Sequence, residues 1–289
     1  SGQVFTPDHI TSLMYKILEV NANDKILDAA CGSGAFLVKS MSNMIKEVGG
    51  INTKEAKKIK EHSLFGIEFD REIFALACAN MMIHKDGKTN LEQLDSRDKE
   101  ASEWIKSKGI TKVLMNPPFE RKYGCKKIVE NVLNSVPSGI KCAFIMPEKK
   151  MEKDKMGKLL EKHHLEAIIK LPEKLFDAGV TTSIYVFETG KKQVGEIYGC
   201  YIEDDGLERV KNQGRQDIKD KWMELENYWV DSIRKRNDTK YGTSQWIDPK
   251  KFLSYQKPKA EFVLYEEDFV KTMMNYLMFK NKIDVKEFS

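Results

Sequence analysis

The chain has 289 residues, 41% of them apolar, and a formal net charge of +4. That length suits one large domain or one domain with an appendage, and the composition is that of a globular protein. No apolar run approaches the roughly 18 residues that span a bilayer, while the mild basic bias permits a nucleic-acid partner without demanding one.

In chain order, Asn23-Asp24 marks a turn, and residues 25–30 are expected as a short buried strand. After Gly32-Ser33-Gly34, apolar side chains at Phe36, Leu37, Met41, Met44, Ile45 and Val48 recur at helical spacing until Gly49-Gly50. A lysine-rich stretch over 54–60 reads as a solvated helix. A second strand is expected over 64–69 and a helix over 72–83. Further strands are expected at 91–94, 112–115, 142–146, 165–169 and 183–187, with helices over 126–136 and 155–164. Strands alternating with helices predict an α/β fold, a doubly wound and mostly parallel sheet covered on both faces.

Beyond about residue 189 the pattern weakens. Asp204-Asp205-Gly206 is a turn, and 215–236 is charged with interleaved Trp222, Tyr228 and Trp229. Asp248-Pro249 reads as a boundary, and 266–279 as an amphipathic helix. The aromatic residues Trp222, Tyr228, Trp229 and Trp246 are expected to pack against the sheet or a partner helix. The cysteines, Cys31, Cys78, Cys125, Cys142 and Cys200, are scattered and never in a C-x-x-C pair. Free thiols in a reducing cytoplasm are expected, with no metal site and no disulfide frame.

Asp28-Ala29-Ala30-Cys31-Gly32-Ser33-Gly34 lies between the first strand and its helix, where open parallel sheets bind ligands. Glycines let the backbone approach a ligand closely, and Asp28 can accept from an ammonium group. Alone, such a turn is a weak signal. The second strand, however, ends in Gly66-Ile67-Glu68-Phe69-Asp70, and an acid at that tip can accept both hydroxyls of a ribose. The interval from Gly34 to Glu68 exceeds the usual ~20 residues because of the lysine-rich insert. Asp95, closing the third strand candidate, can accept from an adenine amino group, although it also fits a surface acid.

Leu114-Met115 then runs into Asn116-Pro117-Pro118-Phe119. Asn116 offers a carbonyl acceptor, and Pro117 restricts the backbone so that carbonyls point in set directions. Phe119 offers an aromatic face to an extruded base. The set is suited to holding the exocyclic amino group of a planar ring during methyl transfer. Arg121, Lys122, Lys126 and Lys127, with Tyr123 among them, suit DNA phosphates, or equally a solvated helix start.

Together these motifs resemble the catalytic domain of adenine-specific, S-adenosylmethionine-dependent DNA methyltransferases, in particular the modification subunit of type I restriction-modification systems. Gly2-Gln3-Val4-Phe5-Thr6-Pro7 resembles the family's leading motif. Leu171-Pro172-Glu173-Lys174-Leu175-Phe176, followed by Thr181-Thr182-Ser183-Ile184, resembles its late motif. The resemblance covers about residues 2–190. It implies a Rossmann-like methyltransferase domain over 1–190 and leaves 191–289 as a C-terminal extension for packing or partner docking. It implies that Thr6 and Asp28 hold the amino-acid end of S-adenosylmethionine, with Ala30, Gly32 and Gly34 in the same turn. Glu68 would hold the ribose and Asp95 the cofactor adenine. Asn116 and the Pro117 carbonyl would grip the target amino group, and Phe119 would stack on the flipped base. Pro118, Phe176, Arg121 and Lys122 would lie against that base or the DNA.

The family usually adds a helical domain ahead of the Thr-Pro motif and a target-recognition domain. Neither is evident, so double-stranded DNA is expected to be read with a specificity subunit or a separate recognition domain. No membrane partner and no metal are expected, and the setting is expected to be cytoplasmic. Asn-Pro-Pro-aromatic sites also serve enzymes acting on cytosine N4, on guanine in RNA or on protein glutamine; the leading and late motifs favour DNA adenine. A non-catalytic subunit that binds only cofactor or DNA is expected to show decay at Asp28, Glu68 or Asn116, and all three stand. A nicotinamide-dependent dehydrogenase has no use for Asn-Pro-Pro-Phe, and its G-x-G-x-x-G expects glycine where cysteine stands in this turn.

Overall fold

The computed structural model describes residues 5–84, 90–153, 157–176, 179–259 and 265–283. Its first strands are β1 (Ile26–Asp28), β2 (Leu64–Ile67), β3 (Leu91–Glu92) and β4 (Lys112–Met115). They are followed by β5 (Lys141–Pro147), β6 (His164–Lys170), β7 (Thr182–Glu188) and β8 (Ile197–Tyr201). A separate two-stranded ribbon, β9 (Glu208–Val210) and β10 (Gly214–Gln216), precedes β11 (Ser244–Ile247), which returns to the main sheet. The spatial order is β11-β8-β6-β7-β5-β4-β1-β2-β3.

Strands β3, β2, β1, β4 and β5 run parallel, β7 is antiparallel to both β5 and β6, and β8 runs parallel to β6. The strand order reverses between β1 and β4, so their carboxyl ends flank the crevice where such sheets take ligands. Both faces of the sheet are covered, which is why its strands read as nearly unbroken apolar runs. Along β4, β5 and β7, residues Leu114, Ala143, Ile145, Ile184 and Val186 enter one core. Their neighbours Val113, Met115, Phe144, Met146, Tyr185 and Phe187 enter the other, as the period of two requires. The first core is filled by helices Asp8–Ile17, Ala35–Glu47, Arg71–Ile83 and Trp222–Lys235, and the second by Lys99–Lys106 and Cys125–Ser135.

Two local devices place the site. Asp70 caps the helix Arg71–Ile83 by accepting from Glu72 N at 3.0 Å and Ile73 N at 3.1 Å, so the chain turns directly after Glu68. Gly66 permits close packing of β2: a Cβ there would lie 2.6 Å from Leu91 and 2.9 Å from Leu37.

The expected helix over 155–164 is shorter in the structure. Among the described residues it spans Gly157–Leu160, while 154–156 lie outside them, and His164 opens β6 because it pairs with Glu188 of β7. Past residue 190 the sheet continues into β8 and β11, and the described residues up to 255 form one compact unit. Trp222 and Trp229 are buried in the first core, and Tyr228 packs against it. Trp246 is 54% exposed, with its ring edge-on to Tyr198. The second unit, 256–289, contains the helix Glu266–Lys280, whose side chains are almost all exposed. Among the described residues no helix is long and apolar enough to cross a membrane.

Candidate active site

Asp28 closes β1, Glu68 follows β2 by one residue and Asn116 follows β4 by one residue. Because these strands are parallel neighbours, the three side chains share one edge of the sheet. A cavity of ≈ 310 Å³ opens along that edge. Its walls include Thr6, Asp28, Ala30, Gly32, Glu68, Asp95, Asn116, Pro117 and Pro118, so most of the residues singled out in the sequence meet there. Gly34 stands behind it: at φ 84° it turns the chain into the helix Ala35–Glu47, a conformation that favours glycine.

Asp28 is 3% exposed and accepts from the Ala30 N–H at 3.1 Å. Burial pushes its carboxyl up to about 7; the Ala30 N–H opposes this and the nearby charge of Glu68 adds to it. Glu68 ties the glycine turn to β2, accepting from Gly32 N at 2.9 Å through Oε2 and from Asp70 N at 3.1 Å through Oε1. Each oxygen has a further lone-pair direction that a diol can use. Asp95 is engaged by the Arg97 guanidinium, with Nη2 at 2.6 Å and Nε at 2.9 Å, and this holds its carboxyl below the usual carboxylate range. Arg97 also donates to the Lys122 carbonyl at 3.3 Å, joining the acid to the loop after Asn-Pro-Pro-Phe.

Asn116 Nδ2 donates to Thr6 Oγ1 at 3.0 Å. That bond orients the amide. Thr6 therefore touches the motif expected to grip the target as well as lining the cavity. Phe119 is set apart from the cavity wall: its ring meets Phe176 edge-on, with centroids 5.6 Å apart at 89°, and Phe176 is 4% exposed. Arg121 and Lys122 lie in the 3-10 turn Arg121–Tyr123, where Lys122 pairs with Glu120 at 3.1 Å; of this turn, Tyr123 lines the cavity.

Sequence reasoning missed several of these contributors. Phe69, directly after Glu68, and Ile73, in the first turn of the helix Arg71–Ile83, line the cavity. Lys150, from the helix Glu148–Lys153, donates to the Phe119 carbonyl and steadies the motif loop. Beyond it, Glu148 accepts from buried Lys170 at 2.9 Å and from Ser183 at 3.0 Å, linking the ends of β5, β6 and β7. Nothing local in the sequence marks these contacts.

The family model of the N-6 DNA methylases matches residues 1–138 and 141–249. The chain belongs to the N-6 DNA methylase family. It is 30% identical to the type II restriction enzyme and methyltransferase RM.BcgI of Heyndrickxia coagulans, over 96% of this chain and 46% of that protein. It is 22% identical to the type I restriction enzyme EcoEI methylase subunit of Escherichia coli, over 66% of this chain and 43% of that protein. The chain thus spans about half the length of these relatives. In fold, it is similar to the M protein of the type I restriction enzyme EcoKI, with a TM-score of 0.67 and 15% identity over 96% of this chain and 71% of that one. It is also similar to a type I methyltransferase subunit from Streptococcus thermophilus, with a TM-score of 0.62 and 15% identity over 87% and 57%. The fold of this chain is the α/β methyltransferase fold with a mostly parallel central sheet.

Proposed function

We propose that this chain transfers the methyl group of S-adenosylmethionine to the N6 amino group of adenine in DNA, as the modification part of a restriction-modification system. The observation that carries the proposal is the placement of Asn116, its amide oriented by Thr6, in the same cavity wall as Asp28, Glu68 and Asp95.

Those acids fit the cofactor. They stand at or just past the ends of three adjacent strands in the order that an ammonium group, a ribose and an adenine require, and Asp28 is a buried carboxyl whose ionised form gains from an ammonium partner. The cofactor, when bound, supplies an activated methyl group on a sulfonium. Asn116 and the Pro117 carbonyl then accept from the two N–H bonds of the target amine and favour a pyramidal nitrogen with its lone pair released from the ring. This stabilises the transition state more than the planar ground state. Asn116 is no strong base, so the proton leaves to solvent water after transfer, when the amine has become acidic.

A target inside a duplex must be flipped out at a cost of a few kcal/mol. Stacking against Phe119, with Phe176 behind it, offsets about 1–3 kcal/mol of that. Arg121 and Lys122 lie beside the site to meet phosphates. We place the chemistry in residues 1–190 and give 191–289 a packing or docking role, with a specificity subunit or separate recognition domain choosing the site and the cytoplasm as the setting. The test uses labelled S-adenosylmethionine with duplex DNA, ribosomal RNA and a glutamine peptide in parallel. Label in DNA alone is expected; label in RNA or peptide overturns the reading.

A further inference from the structure

The ribbon β9–β10 stands on the catalytic edge of the sheet. Strand β5 is parallel to β4, β7 is antiparallel to β5, β6 is antiparallel to β7 and β8 is parallel to β6. The carboxyl end of β8 therefore lies on the edge where β4 delivers Asn116, and the ribbon follows within a few residues.

Its foot is anchored to the helix that follows Thr6. Asp205, fully buried, takes the His9 ring nitrogen Nε2 at 3.0 Å, the Arg215 guanidinium of β10 and the Leu207 N–H at 3.2 Å. His9 lies in the first turn of the helix Asp8–Ile17, three residues after Thr6, which accepts from Asn116. A two-stranded ribbon on its own is marginally stable in water. This one is held at its foot by Asp205 and by the Glu208–Lys219 pair at 2.5 Å.

The tip is polar, exposed and shaped. Residues 211–214 are all exposed. Asn212 at φ 62° and Gly214 at φ 72° turn the chain, a conformation that asparagine tolerates better than most residues. The turn is closed by Gln213 N to Val210 O at 3.1 Å and by Gln216 Nε2 to Gln213 O at 2.8 Å. The sequence from Arg209 to Gln216 contains cations and amides but no acid, whereas Asp204, Asp205 and Glu208 sit at the foot. Such a tip offers nothing to an apolar partner. It offers a cation for phosphate and two amides able to donate and accept at base edges, on a two-stranded ribbon that a DNA major groove can admit.

We propose that the β9–β10 ribbon enters the groove of duplex DNA beside the target base, with Lys211 on phosphate and Asn212 and Gln213 on base edges. The proposal rests on the reading of the site as a DNA methyltransferase. It adds a sequence preference carried by this chain, limited to bases flanking the target. A-form RNA, whose major groove is too deep and narrow for side chains to read, does not fit the ribbon.

The test measures binding of the full chain to a fluorescent DNA duplex holding one mismatched adenine, by anisotropy across a salt series. Lys211→Glu should raise Kd about tenfold and lower the salt slope by about 1, and Lys211→Gln should do the same more weakly. Gln213→Ala should flatten the dependence of Kd on the flanking bases. Each variant should melt at the wild-type temperature and bind S-adenosylmethionine as wild type does. Wild-type Kd, salt slope and flank dependence in these variants overturn the proposal, as does a wild-type chain that binds no duplex. Asn116→Ala, run alongside, should methylate none while keeping the wild-type salt slope and flank dependence of binding. Loss of methylation there with unaltered ribbon variants would retain the catalytic reading and reject the ribbon. Weakened duplex binding in the ribbon variants, with no DNA methylation by wild type, would reject the catalytic reading and retain the ribbon.

Discussion

At the β1–β2–β4 end of the sheet, each chemical group lies within a residue of the strand that carries it: Asp28 closes β1, Glu68 follows β2 and Asn116 follows β4. At the β6–β8–β11 end, the groups that meet are far apart in the chain. His9 meets Asp205, Lys16 meets Glu226, and Tyr198 donates to the Asn237 carbonyl at 2.8 Å. The first region places Asp28, Glu68 and Asn116 by strand termini. The second buttresses them through the helix Asp8–Ile17, which carries Thr6 at its entry. Substitutions at the first end should therefore change chemistry and ligand affinity, and those at the buried contacts of the second should change stability.

The largest effect is expected at Asn116. Asn116→Ala should abolish methyl transfer and leave cofactor affinity unaltered by calorimetry, because the side chain acts on the target; normal turnover would break the division between the two regions. Glu68→Ala comes next. It removes charge-assisted acceptors from Gly32, Asp70 and the ribose, so the cofactor should bind at least about 1.5 kcal/mol more weakly, over tenfold in Kd. An unchanged Kd would take Glu68 out of the cofactor site.

Asp28 sharpens the comparison through pH. In the free protein its pKa is pushed up to about 7, so below that value it carries a proton. Pairing with an ammonium group needs the carboxylate, so cofactor affinity should rise about tenfold per pH unit up to 7 and then level. For stability the sign is reversed. Between about pH 4 and 7 the folded chain holds a proton that the unfolded chain has lost, so stability from this group is present below about 4 and lost as pH rises through 7. Asp28→Asn should bind cofactor weakly with a flat profile. Its melting temperature should match wild type near pH 4 and exceed it at pH 8; the opposite ordering would contradict the burial of the acid.

The smallest effect is expected at the far end. Tyr198→Phe loses the bond to Asn237 and should cost about 0.5–1.5 kcal/mol in urea denaturation, with cofactor affinity unchanged.

The same contrast explains what is legible in the sequence. Strand and helix periods, glycine turns and the Asn116-Pro117-Pro118-Phe119 run are local, and they suffice to place Asp28, Glu68 and Asn116 on one edge. The helix Asp8–Ile17 is not among the expected elements, although its apolar residues Ile10, Leu13, Met14 and Ile17 recur at helical spacing. β8 and β11 are short strands amid charged sequence, and their assignment depends on pairing between Ser244 and Cys200 or Trp246 and Tyr198. The Arg97 bridge from Asp95 to the Lys122 carbonyl and the Lys150 contact to Phe119 are tertiary, and no spacing rule encodes them.

The central claim is that Asn116 presents an adenine amino group to the methyl donor. Its most direct test is nucleoside mass spectrometry of a duplex whose only adenine is the mismatched one, after incubation with the purified chain and S-adenosylmethionine. The expected product is N6-methyladenine at the mismatched position, absent with Asn116→Ala. N4-methylcytosine as the product, or N6-methyladenine formed equally by Asn116→Ala, would contradict it.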